Sequence, residues 1–102
     1  MPASVTPWSA PEPPPEHEVL AALRAEGLSP YRWDNDPGYV YAPHEHPYSK
    51  VLYCVGGSIR FLLTGEGRSL ELRPGDRMDL PPGTAHSAVV GPDGVACLEA
   101  WR

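Results

Sequence analysis

The sequence predicts a single all-β domain, a barrel or sandwich, with one short helix near its N-terminus. Three observations lead to this prediction. The chain has 102 residues, which is room for one hydrophobic core and one domain. Beyond residue 38, short apolar stretches alternate with glycine and proline turns at intervals of about 8 to 12 residues, a spacing typical of all-β folds. Residues 16–26 carry a helical pattern of apolar side chains instead.

Residues 1–15 form a proline-rich N-terminal arm. Prolines stand at positions 2, 7, 11, 13, 14 and 15, too many for a helix or a central strand because proline lacks the backbone N–H donor. Trp8 is the one substantial apolar side chain of the arm. Two alternatives follow: Trp8 docks the arm onto the barrel or a neighbouring subunit, or the arm is a disordered tail.

The domain proper is expected to span residues 16–102 and to begin with a helix over residues 16–26. Val19 and Leu23 fall on one face of that helix. Gly27 suits the position just beyond its C-terminus, where the backbone often turns left-handed.

A turn cluster with the sequence Asp-Asn-Asp-Pro-Gly follows at residues 34–38. Beyond it we expect seven short strands separated by turns that contain glycine or proline. The predicted strands are residues 39–42, 50–55, 58–64, 69–72, 77–80, 85–90 and 95–101.

Composition narrows the class of partner. The formal net charge is −5 and there is no basic run, which argues against nucleic acid or an anionic membrane surface. No stretch approaches the roughly 18 to 20 apolar residues of a membrane helix, and the N-terminus has neither the basic segment nor the apolar region of a signal peptide. We expect a cytoplasmic protein whose partner is a small molecule.

The two cysteines, Cys54 and Cys97, lie in apolar stretches without metal-binding spacing. They are predicted to be buried free thiols. A disulfide between neighbouring strands is the alternative.

Three histidines are candidate ligands for a metal ion. His44 and His46 are two residues apart, so on an extended segment both imidazoles point to the same face. His86 follows a proline-glycine turn at the head of a later strand. If antiparallel pairing brings that strand beside the first, three nitrogen ligands converge and leave coordination positions open, as in a catalytic or ligand-binding site.

The spacing around these histidines resembles a known family. Gly38 is followed after five residues by His44, then by His46 and, after an interval, Gly57. The second stretch runs from Gly75 through Pro81 and Gly83 to His86, with five, one and two residues between them. The two stretches, in this order, resemble the two motifs of the cupin superfamily and together cover roughly residues 38–90.

The resemblance implies a cupin β-barrel, a double-stranded β-helix or jelly roll, that is usually dimeric. It also implies one divalent transition metal ion, Fe, Mn, Ni, Zn or Cu, with His44, His46 and His86 as the histidine ligands. The motif glycines Gly57 and Gly75 would be turn positions that require a positive φ.

The sequence departs from the family at two positions, Lys50 and Val90. Lys50 stands where the family usually has a glutamate ligand, and Val90 stands where it commonly has asparagine. Val90 would make that end of the cavity apolar. A Lys50 ammonium about 4 Å from a divalent ion would be repelled by roughly 8 kcal/mol at an effective dielectric constant near 20.

Four outcomes for Lys50 are therefore open. Lys50 loses its proton and becomes a possible general base, or it turns away to pair with Glu45, Asp79 or Glu99, which is the favoured alternative. It holds an anionic ligand between itself and the metal, or the barrel binds no metal at all.

Strand alternation places Leu52 and Cys54 inward together with Lys50, and leaves Val51 and Tyr53 on an apolar outer face. That outer face must be covered, either by the helix at residues 16–26 or by a second subunit. We expect a homodimer.

Two functions are favoured by these features. The first is a metal-binding small cupin enzyme, a metal-dependent dioxygenase or a related enzyme acting on a small organic substrate, with Lys50 as a candidate catalytic residue. The alternative is a non-catalytic cupin that binds or senses a small molecule, metal-free because Lys50 replaces the usual glutamate. A barrel kept only for dimer assembly is a third hypothesis, but it requires the convergence of three histidines to be accidental.

Overall fold

The computed structural model describes residues 2–102 and confirms an all-β barrel with one short helix. The elements are β1 (Ser4–Thr6), α1 (Glu16–Ala25), β2 (Tyr31–Asn35), β3 (Val40–His44), β4 (Lys50–Leu63), β5 (Arg68–Leu72), β6 (Arg77–Leu80) and β7 (His86–Trp101). The helix has ten residues, and within the described chain no helix is long and apolar enough to cross a membrane.

The strands form one antiparallel sheet built on the pairing of β4 with β7. Its order is β1-β6-β4-β7-β2, with β3 paired to β7 and β5 paired to β4. The β4–β7 register runs from Lys50 opposite Trp101 to Leu62 opposite Ser87. The β4–β7 pair is therefore the centre of the sheet, to which β2, β3, β5 and β6 are each paired directly.

Strands β4 and β7 are strongly bent. The 16 residues of β7 would extend about 50 Å at about 3.3 Å per residue, whereas the longest dimension of the Cα trace is 33 Å. The register between β4 and β7 shifts on both sides of Gly57, as in a β-bulge. The two ends of one strand therefore face each other across the barrel.

The sequence predicts turns at residues 56–57 and 91–94, and this prediction is wrong in one respect. The chain bends at these glycine-containing stretches, but each stretch lies inside a continuous strand. Gly56 and Gly57 pair with β7, whereas residues 91–94 bulge between the paired residues Val90 and Val95. Gly57 explains the difference, because its φ of 64° is a left-handed value that lets the backbone bend without breaking the ladder. A Cβ at Gly57 would lie 2.0 Å from the carbonyl oxygen of Gly94, so the position also requires glycine for close approach.

Two hydrophobic clusters stabilise the fold, one inside the barrel and one under the helix. Leu52 and Cys54 lie in the interior cluster, while Val51 packs with Val19 and Leu23 of α1. The predicted alternation along β4 is confirmed. Because α1 itself covers the outer apolar face, that face gives no argument for a second subunit, and the homodimer stays a prediction.

The arm docks onto the barrel, which was one of the two alternatives. β1 pairs with β6, and Ala3 is only 2% exposed within the interior cluster. The strand is possible because it has three residues and lies between Pro2 and Pro7, so no proline interrupts its ladder. The backbone N–H of Trp8 donates to Asp76 at 2.9 Å, which fixes the arm beside the turn that precedes β6.

The strand β2 is absent from the sequence prediction. Its residues alternate, with Tyr31, Trp33 and Asn35 lining the central cavity and Arg32 and Asp34 forming an exposed ion pair. The prediction missed it because the last two residues of β2 are Asp and Asn, which favour turns. The cysteine prediction holds: Cys54 and Cys97 are buried and free, and they lie opposite each other on β4 and β7.

Candidate metal centre

Strand pairing brings the three predicted histidines together. His44 ends β3 and lies directly opposite His86, the first residue of β7, while His46 follows two residues later. The ring centroids of His44 and His86 are 4.3 Å apart, and those of His44 and His46 are 4.8 Å apart. One ring nitrogen from each histidine lies within 4.8 Å of the other two, so the cluster could hold a metal ion.

Backbone contacts fix the tautomers of two of these histidines. Nδ1 of His44 lies 2.8 Å from the carbonyl oxygen of Ala42, and Nδ1 of His86 lies 2.8 Å from that of Thr84. A carbonyl oxygen only accepts, so both Nδ1 atoms donate and both Nε2 atoms keep a free lone pair. Metal-ligating histidines are usually oriented by such a contact.

His46 supplies the test of whether a metal fits. Its Nδ1 lies 3.2 Å from the hydroxyl of Tyr48, and its Nε2 is buried without a hydrogen-bond partner among residues 2–102. Buried polar atoms are almost always satisfied. An ion bound by all three histidines would satisfy this nitrogen, so the donor set fits a transition metal.

The electrostatic surroundings favour the neutral form that a metal requires. Burial is the main cause that lowers the pKa of His46, with further lowering by the charges of Lys50 and His44. Burial also lowers the pKa of His86, against a raising contribution from its bond to Thr84. Protonation therefore competes less with a metal ion at these two residues than it would in solution.

Lys50 pairs with a carboxylate, and Glu99 is one of the three partners that the favoured alternative named. Its Nζ lies 3.4 Å from Oε2 of Glu99, and the two side chains are 11% and 5% exposed. Lys50 still lines the same cavity as the three histidines. Its catalytic role stays a prediction.

Glu99 is a functional candidate that the sequence analysis named only as a partner for Lys50. Its carboxylate accepts hydrogen bonds from the Tyr31 hydroxyl at 2.5 Å and from the Trp33 and Trp101 indoles at 3.1 Å each. The signal that would have found it is a lone carboxylate at an inward position of an otherwise apolar strand, since residues 95, 97 and 99 alternate on one face.

The histidines and the Lys50–Glu99 pair open into one cavity of about 310 Å³. That volume lies at the small end of the range for ligand sites, roughly 300–1,000 Å³. Val90 is buried in the interior cluster but is not among the residues that line this cavity, so its predicted effect on the cavity stays a prediction. The cavity is lined mainly by aromatic and apolar side chains around a few polar groups: Tyr31, Trp33, Asn35, Tyr41, His44, His46, Tyr48, Lys50, Leu52, Ile59, Phe61, His86, Ala88 and Glu99.

Comparison with known structures supports the fold. An RmlC-like cupin from Shewanella frigidimarina matches with a TM-score of 0.62 and 28% identity, covering 72% of this chain and 64% of that chain. The polyketide cyclase RemF from Streptomyces resistomycificus matches with a TM-score of 0.65 and 28% identity, covering 72% and 54%. KdgF from Halomonas sp. matches with a TM-score of 0.61 and 32% identity, covering 72% and 68%. The aligned part thus spans less than two thirds of the first two proteins.

Comparison with curated proteins finds no match. The sequence profile of the AraC-like ligand binding domain, in contrast, matches residues 27–99, well over half of the chain. The match includes all three histidines, Lys50 and Glu99. The chain therefore belongs to the AraC-like ligand binding domain family, a small-domain family of the cupin superfamily.

Proposed function

We propose that this protein is a metal-dependent cupin enzyme that acts on a small organic substrate. The observation that carries the proposal is the unpartnered, buried Nε2 of His46 beside two histidines whose Nε2 lone pairs are free. His44, His46 and His86 would hold one divalent transition metal ion. The three ligands are neutral, so the ion would act on a substrate oxygen as a Lewis acid with its full charge.

The other cavity residues have separate tasks in this proposal. The Lys50 ammonium stabilises negative charge that develops on the substrate, because it is fixed in place by Glu99 before the substrate binds. The Tyr48 hydroxyl orients His46. The aromatic side chains of Trp33, Tyr41 and Phe61 exclude water, which strengthens both electrostatic interactions.

Metal content is the direct test. Protein reconstituted separately with Fe, Mn, Ni, Zn or Cu and then desalted is expected to retain about one ion per chain by elemental analysis. The H44A/H46A/H86A variant is expected to retain almost none, because it lacks every ligand. His17→Ala is the matched control, since His17 is exposed on α1. Equal metal content in the triple variant and the natural protein would contradict the proposal.

The reaction class is the finer part of the proposal. The cupin resemblance favours a dioxygenase, whereas one structural neighbour is a polyketide cyclase. Catechols, enolates and keto acids would be incubated with metal-loaded protein under air while dissolved oxygen and products are followed. Oxygen uptake that depends on His86 supports a dioxygenase, and product formation without uptake supports a non-oxidative reaction.

A non-catalytic ligand-binding module is the second candidate, favoured by the family match to a ligand binding domain. In that case the same compounds raise the melting temperature, because a ligand that binds only the folded state stabilises it. Stabilisation without turnover for every metal would favour the binding module over the enzyme.

A further inference from the structure

The net charge of the cavity depends on whether a metal ion is bound to the histidine cluster. Among its lining residues, within the described chain, Lys50 and Glu99 are the charged side chains. They pair with each other, so without a metal ion their charges cancel. A divalent ion on three neutral histidines adds two positive charges. These charges are not offset by a ligand, because Lys50 replaces the carboxylate that the family usually has there.

Glu99 offsets only part of that positive charge, because it carries one negative charge and already pairs with Lys50. Its Oε2 accepts from Tyr31 and Trp101 and lies beside Lys50, and its Oε1 accepts from Trp33. Four donors thus already surround this carboxylate. The histidine end of the cavity keeps an uncompensated positive charge when a divalent ion is bound.

Lys50 extends the positive region towards the cavity. An ammonium has three N–H donors, and a single Glu99 oxygen at 3.4 Å takes at most one of them. Lys50 lines the same cavity as His46 and His86. A ligand oxygen in this region would be attracted by Lys50 and by the ion together.

The aromatic walls of the cavity favour a ligand with a flat apolar part. Trp33 and Tyr41 pack edge to face with their centroids 5.8 Å apart, and Phe61 lies beside His86 with centroids 6.1 Å apart. Aromatic walls pack well against planar, unsaturated groups. The cavity volume of about 310 Å³ restricts the ligand to one small ring or a short conjugated chain.

We propose that the cavity binds a small planar organic anion, an aromatic or unsaturated carboxylate or enolate, with its charged oxygen between Lys50 and the histidine cluster. The inference rests on the proposed metal-binding function for part of the positive charge. Lys50 supplies N–H donors for the charged oxygen of the ligand, so Lys50 is a specificity-determining residue for the charge of the ligand. A neutral sugar or alcohol lacks the charge that this region complements.

Calorimetry with a matched pair of probes tests the inference. Binding of trans-cinnamate and of its neutral isostere cinnamamide is measured on zinc-loaded and on metal-free protein, with acetate as an anion that lacks the planar body. We expect cinnamate to bind zinc-loaded protein at least about tenfold more tightly than cinnamamide, since a charge-assisted hydrogen bond is worth more than the 1.4 kcal/mol that corresponds to a factor of ten. Acetate is expected to bind more weakly than cinnamate.

The variants give effects of opposite sign, which a merely structural role would not produce. Lys50→Met is expected to reduce the preference for cinnamate at least several-fold, Lys50→Arg to retain it, and Glu99→Gln to increase it, because the last change removes the competing negative charge. Arg60→Met is the matched control, since it removes a positive charge from an exposed residue outside the cavity. Melting temperature and zinc content are recorded for each variant, and K50M/E99Q serves if Lys50→Met alone does not fold.

Failure of this inference is distinguishable from failure of the proposed function. Zinc-loaded natural protein that binds acid and amide equally, or binds neither at millimolar concentration, overturns the inference and leaves the metal centre standing. A preference for cinnamate that depends on Lys50 in a protein that binds no metal supports the inference and overturns the metal-dependent function.

Discussion

Glu99 shows how strongly one side chain can depend on its neighbours. It is a buried carboxylate whose charge is compensated by Lys50 and by donors from three aromatic residues, two of them on β2. Such a group is costly to bury alone but stable when every acceptor position is used. The network also connects the end of β7 to β2, so it holds one wall of the cavity in place.

Glu99→Ala is therefore expected to destabilise the protein by about 3 kcal/mol, because it leaves the largely buried Lys50 charge and three part-buried donors without their partner. Urea denaturation followed by circular dichroism measures the change. Glu71→Ala is the control, since Glu71 forms an exposed ion pair with Arg73 and is expected to cost less than about 1 kcal/mol. Similar losses for the two variants would contradict the role given to the network.

The lowered pKa values of two histidines lead us to expect that the stability of the metal-free protein depends on pH. Burial lowers the pKa of His86 and of His46 below the usual 6.5, so the unfolded chain binds more protons than the folded one below that value. Their contribution to stability is complete above about pH 6.5 and is lost as the pH falls through the lowered values. The free energy of unfolding is expected to decrease between pH 7 and pH 5.

His86→Asn removes one of these titrating groups, so the slope of unfolding free energy against pH is expected to become shallower. His17→Ala is the control, since it removes an exposed histidine of α1 and leaves the histidine cluster intact. An unchanged slope in His86→Asn would show that the titration of His86 does not control acid stability.

At the scale of elements, the bends of β4 and β7 decide where the site forms. The bend in β4 places Gly57 against the carbonyl of Gly94. Gly57 is 11 residues beyond His46 and 29 residues before His86 in the sequence. A change there acts on the site through the course of the strands rather than through contact with a ligand.

Gly57→Ala is expected to destabilise the protein by about 2 to 4 kcal/mol, from strain at positive φ and from the overlap of the new Cβ with Gly94. Gly67 is a matched control, with a φ of 65° and no heavy atom within 4 Å of an added Cβ. Gly67→Ala is expected to cost only the strain, about 1 to 2 kcal/mol. Thermal denaturation compares the two, and equal losses would exclude the close approach as a cause.

For the whole molecule, the turn spacing was sufficient to predict an all-β fold, and the two spaced motifs were sufficient to choose the barrel and to predict which histidines converge. The predicted strand at residues 77–80 matches β6 because its apolar residues and its turns agree. β2 was missed because Asp34 and Asn35 are locally turn-forming but are held in the sheet by β7. The sequence predicted Glu99 only as a partner of Lys50, because two of its three aromatic donors come from β2, the strand that was not predicted.

The homodimer is a prediction at the same scale. Val40 and Leu62 are exposed and lie on strands that flank β7, on the side that α1 does not cover. We expect light scattering to give twice the mass of one chain, and Leu62→Glu to shift it towards a monomer, because burying a charge in an apolar interface is costly. Ala22→Glu introduces the same charge at an exposed position of α1, away from this face, and serves as the control. A monomer in the natural protein would contradict the prediction.

The bend of β7 has a last consequence for the dynamics of the protein. His86 and Glu99 are contributed by opposite ends of one continuous strand, so both ends of the cavity are connected to β4 through its pairing with β7. Occupation of the cavity should slow amide hydrogen exchange along the whole of β4 and β7, including the distant bend, rather than only in the loops around the ligand.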